Sequence, residues 1–125
     1  MELMIVLVII GILATLAIPR FTLNRESVFS REAIANLRMI GAAERIYRIE
    51  ITPNAYVSCV NTNDCNNILR LSLNTDHWTY VVTRPGGQAT FTATADRIGA
   101  GGYLNCQYVF TQADAAPVGN ANCPP

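Results

Sequence analysis

Residues 2–19 read Glu2-Leu3-Met4-Ile5-Val6-Leu7-Val8-Ile9-Ile10-Gly11-Ile12-Leu13-Ala14-Thr15-Leu16-Ala17-Ile18-Pro19. Between positions 3 and 18 every residue is apolar, Gly11 or Thr15. Such a run is about 24 Å long as a helix at roughly 1.5 Å per residue. That nearly spans a bilayer core and lies at the short end of the range for membrane helices. A signal-peptide core fits poorly, because it needs a basic front and a small-residue cleavage site. A buried helix fits poorly too, because a soluble domain of 125 residues has too little surface to cover a helix that is apolar on every side. Pro19 removes a backbone donor and crowds the carbonyl four residues earlier, so a kink is expected there.

Outside this segment the chain changes character. Half of the residues are hydrophobic and 14% are charged, but the apolar content is concentrated at the front. Nine basic and nine acidic residues give a formal charge of zero, so no global field recruits nucleic acid or an anionic surface, and no nucleic-acid partner is expected. Every basic residue is Arg, which suits forked pairing with carboxylates. The four Cys contain no C-x-x-C unit, which favours disulfides in an oxidising compartment over zinc or a redox site. Three connectivities are possible. Sequential pairing, Cys59–Cys65 and Cys106–Cys123, closes two local loops and is the expectation, each bond contributing about 2–4 kcal/mol.

Past Pro19 the helical period resumes. Ala33, Leu37, Ile40, Ala43, Tyr47 and Ile51 form one stripe, with Arg31, Glu32, Arg38, Arg45, Arg48 and Glu50 largely off it. Glu44 and Arg48 have the i, i+4 order of an exposed pair, and Ser30 is a cap if the helix restarts there. Thr52-Pro53-Asn54 ends the helix. A polar, Asn-rich connection follows, clamped by Cys59 and Cys65 and carrying one helical turn near Ile68-Leu69-Arg70-Leu71. Residues 78–83 and 88–95 form a hairpin around Arg84-Pro85-Gly86-Gly87, with Ala89, Phe91, Ala93 and Ala95 on one face. A third strand spans 103–110, with Leu104, Cys106, Tyr108 and Phe110 sharing a face, and Cys106–Cys123 pins an otherwise weak tail. The expected fold is α+β, a long kinked N-terminal helix packed on a small antiparallel sheet. It divides into a transmembrane or filament-core helix (1–24), its amphipathic half (25–53), the disulfide-clamped loop (54–77), and the sheet with its tail (78–125).

An acid before the apolar run, Gly11-Ile12-Leu13-Ala14 in its middle and Ala17-Ile18-Pro19 at its close make residues 2–19 resemble the mature N-terminus of type IV pilins and type II secretion pseudopilins. The resemblance is specific in this segment and extends more loosely to the architecture. It implies a pilin fold and a structural subunit that assembles helically with identical copies into a pilus, and the polar Asn- and Thr-rich surface with the second disulfide suits a major pilin. The partners it implies are sister subunits, the inner membrane before assembly, and the assembly machinery. The implied location is the inner membrane for the monomer, then an extracellular filament on the bacterial surface. In that family the leader is cut before an aromatic residue, which is N-methylated, and the acid lies fifth. Here Glu2 is second, so the recorded sequence is expected to begin at an internal Met. A missing basic leader would also make the positive-inside rule agree with exported disulfides.

Glu2 carries the subunit-pairing role in this resemblance, attracting the N-terminal amine of a neighbour. A carboxylate beside hydrocarbon is costly unless paired, and a charge partner in an apolar bundle offsets part of that cost. Leu3, Ile5, Val6, Ile9, Ile10, Gly11, Leu13, Leu16 and Ile18 form the filament core and membrane helix, with Gly11 and Pro19 as points of kinking or melting. No catalysis, cofactor or metal is expected. His77 is the only His, and beside Asp76 it reads as an exposed residue at a turn. Gly99-Ala100-Gly101-Gly102 has no following Lys or helix to hold a phosphate. Asp96 and Asp114 are too sparse for calcium. Packing explains Tyr47, and intersubunit packing explains Phe21 and Phe29, better than electron transport does. The rival functions are a pseudopilin of a type II secretion system and a membrane-anchored binding module that does not polymerise.

Overall fold

The computed structural model describes the chain from Met1 to Pro125, with the side chains of residues 1–16 and 23–125. These residues build helix α1 (Glu2–Glu50), helix α2 (Thr62–Leu69) and strands β1 (Trp78–Thr83), β2 (Thr92–Arg97), β3 (Gln107–Thr111) and β4 (Val118–Gly119). The strands form one antiparallel sheet in the order β1-β2-β3-β4, each beside its sequence neighbour. The class is α+β, with the second half of α1 laid on the sheet.

The helical period determines what that half of α1 buries. Ala33, Leu37 and Ile40 are fully enclosed against Tyr80, Val82, Phe91, Ala93 and Phe110. Ala93 and Ala95 are the small inward residues of β2 and leave room for the helix. Gly41 completes the fit, because a Cβ there would strike the ring of Phe110. Two polar contacts sew α1 to β1. The Trp78 Nε1–H donates to the Phe29 carbonyl at 2.8 Å, and the Asn36 amide donates to the Tyr80 hydroxyl at 2.8 Å. Burial pushes the Tyr80 hydroxyl up to about 12.

The Asn-rich connection has a structural use. Asn61 caps α2 by accepting the Asp64 N–H at 2.9 Å, and Arg70 ends the helix in the left-handed region at φ 55°. The Asn66 amide both donates to the Leu73 carbonyl and accepts its N–H, closing the loop. The α2 helix is eight residues, longer than the single turn expected.

Several expectations need correction. The second strand begins at Thr92 rather than 88, because the turn continues. Gly87 has φ 86°, the Thr90 hydroxyl accepts the Gly86 N–H at 3.0 Å, and Ala89 is exposed. The third strand begins at Gln107 rather than 103. Gly99 and Gly101 hold positive φ, so the backbone turns there, and Leu104 stays exposed. Ser30 is no cap, since α1 runs through it without a break. Ile51, assigned to the buried stripe, is exposed at the helix end.

The membrane expectation is also overturned. Among the described residues, no helix is long and apolar enough to cross a membrane. Inner-membrane anchoring, and the location built on it, are therefore withdrawn. The kink expected at Pro19, the core role of Ile18 and the packing of Phe21 lie outside the described residues.

Candidate assembly surface

The first turns of α1 form an apolar rod that stands clear of the head among the described residues. Leu3 is 80% exposed, and even the most covered large residue of the rod, Ile9, is 52% exposed. Exposure on this scale occurs on every side, because Ile5, Val6, Leu7 and Val8 point in four directions 100° apart. Ile10, Leu13 and Leu16 extend the same surface. The polar atom within the rod is already satisfied, since the Thr15 hydroxyl donates to the Ile12 carbonyl at 2.7 Å. Gly11 has open space where a Cβ would stand, so it leaves a small notch in the surface. Glu2 lies in the first turn, where the positive end of the helix dipole favours an acid, and is exposed. An apolar surface this continuous marks an interaction site.

A second apolar surface lies on the head. Met39, Ala42 and Ile46 of α1, with Ile68 of α2 and Leu71 after it, line a groove of about 490 Å³. Met39 and Ile46 are 47% and 55% exposed there. Arg70 and Glu50 also line the groove.

Two buried acids that periodicity alone did not single out fix the head beneath the rod. Glu26 and Arg97 form a forked pair, Oε1 to Nη2 at 3.1 Å and Oε2 to Nε at 3.2 Å, with both side chains nearly enclosed. The same guanidinium lies over the rings of Phe29 and Trp78, and donates to the carbonyls of His77 and Ile98. Arg97 therefore ties the end of β2 to α1. The all-Arg composition was the sequence signal for such a fork. His77 is not the exposed turn residue expected. Its ring stacks on Phe29 at 3.8 Å, and its Nδ1 lies 3.4 Å from Glu32. Phe29 is thereby engaged within the subunit rather than between subunits.

Glu44 was expected on the surface beside Arg48, but it is fully buried. The segment after α1 crosses over it, and its Oε2 accepts the Val57 N–H at 2.9 Å. Its Oε1 has no partner among the described residues. Burial pushes the carboxyl up to about 7, while the Val57 hydrogen bond and the nearby Arg84 charge pull it down. Arg48 instead donates to the Tyr56 hydroxyl at 3.2 Å and lies over that ring.

The four cysteines form Cys59–Cys65 and Cys106–Cys123, the sequential pairing. Among the described residues, no group of three or more His, Cys, Asp or Glu is arranged to hold a metal ion. The arrangement is one of contact surfaces: an uncovered rod, a grooved head, and a stapled sheet. Comparison of the chain with family models, with curated proteins and with solved structures finds no match.

Proposed function

We propose that the chain is a structural subunit, of the major-pilin kind, of a type IV pilus-like filament assembled helically through its N-terminal helix. The observation that carries this reading is the rod, whose apolar side chains are uncovered on all sides and end at one acid, Glu2. Burying about 25 cal/mol per Å² of apolar area gives sister rods a strong reason to pack together. The head contributes what a filament needs on its outside, a small sheet held by two disulfides with Thr and Asn outward. Contacts that repeat without closing generate an open fibre. The function is assembly rather than catalysis.

Glu2→Ala separates this role from mere solubility of the rod. The variant is expected to keep the melting curve of the intact chain, since Glu2 touches no part of the head. Its yield of sedimentable fibres is expected to fall at least tenfold. Unchanged fibre yield would remove Glu2 from the assembly surface.

A further inference from the structure

We propose that the groove between α1 and α2 receives the N-terminal rod of a second copy of this chain, with the incoming Glu2 set against Arg70 in place of the N-terminal amine that the resemblance implies. The inference deepens the filament reading and rests on it.

The molecule carries two uncovered apolar surfaces, and they are about forty residues apart along the chain. The rod does not reach its own groove, because its large side chains are all more than half exposed. The two surfaces match in kind. The groove presents Met39, Ala42, Ile46, Ile68 and Leu71, flexible or small residues that accept an apolar ridge. The rod presents such a ridge in Met4, Ile5, Val8 and Ile9, which lie together on one side of its first turns.

Charge gives the pairing its direction. Residues 2–16 hold one acid and no base. Arg70 stands at the groove, while Arg31, Arg38 and Arg45 follow one another at seven-residue intervals on the exposed side of α1. None of those three has an acid three or four positions away. Among the described residues, none of the four arginines lies within ion-pair distance of a carboxylate. Of these four arginines only Arg70 lines the apolar channel, where it offers one positive charge to the single negative charge that the rod carries on an apolar surface. Glu50, also at the groove, repels Glu2 and so favours the orientation that puts the acid at Arg70. Joining rod to groove uses different surfaces on the two copies. It leaves a free rod and a free groove at the ends, so the contact propagates.

The test uses fibres of the full chain with Met39 replaced by p-benzoylphenylalanine. After irradiation and trypsin digestion, the expected product joins the residue-39 peptide to peptide 1–20 of another copy. Charge exchange provides a second measurement. Glu2→Arg and Arg70→Glu are each expected to lower fibre yield at least fivefold, and the double variant to restore it. Well-ordered fibres in which position 39 links only to heads, or to nothing, would overturn the groove assignment and leave the filament reading standing. Failure of the double variant to recover would overturn the Glu2–Arg70 pairing. If the unmodified chain built no ordered assembly, the filament reading and this inference would fall together.

Discussion

Glu44 shows how one residue couples the head to pH. Its folded carboxyl titrates near 7, raised from 4.5 by burial, so between those values the folded chain holds a proton that the unfolded chain releases. Stability that is fully present below about pH 4.5 is therefore lost as pH rises to about 7, and stays lost above it. Glu44→Gln keeps an acceptor for the Val57 N–H and removes the charge. Urea unfolding at pH 4 to 8 is expected to show the variant flat across this window and about 3 kcal/mol more stable than the parent at pH 8. Parallel pH curves for the two proteins would contradict the assignment. The burial of this acid was not read from the sequence, because the stripe was drawn through Ala43 and Tyr47, although position 44 borders it. The i, i+4 spacing to Arg48 pointed the other way. The deciding fact, a loop that crosses the helix and needs an acceptor for its N–H, is tertiary.

Elements with strong local patterns were readable in outline, and their ends were not. Strand β1 matches its expected span, because its alternation and its β-branched and aromatic content agree. Strand β2 starts late because Gln88, Ala89 and Thr90 continue a turn set by Gly86, Gly87 and the Thr90 hydroxyl. Strand β4 is two residues long, too short to show any period, and it is held in place by its neighbours. Gly119 packs beside Tyr108 and Cys123, and the Asn120 N–H donates to the Gln107 carbonyl at 3.0 Å. The Cys106–Cys123 bond spans a sequence separation of 17 and closes this loop. Replacing both cysteines with Ser is expected to cost about 3 kcal/mol. Amide exchange should then speed up at residues 118–123, while Tyr108 and Phe110 remain slow. Exchange unchanged at Asn120 would show that the tail folds without its staple.

At the scale of the molecule, the chain is a helix whose two halves solve different problems. The second half is amphipathic and ends its apolar surface on the sheet, with Gly41, Ala93 and Phe110 setting the distance. Residues 3–16 are apolar almost all round and, among the described residues, have no cover within the subunit. That contrast was visible in residues 2–19. All-round apolarity also suits a membrane helix, but among the described residues no helix is long and apolar enough to cross a membrane. The groove was not legible, because it is made where α2 and the turn at Arg70 meet α1, three segments that periodicity reads separately.

The central claim is that rods of this chain gather into an ordered core. Electron cryomicroscopy of the full-length chain, concentrated under oxidising conditions, tests it most directly. The expected result is helical fibres with residues 2–16 packed inside and the disulfide-bonded heads outside. Particles that stay single at every concentration, or fibres whose rods remain apart from one another and from neighbouring heads, would contradict it.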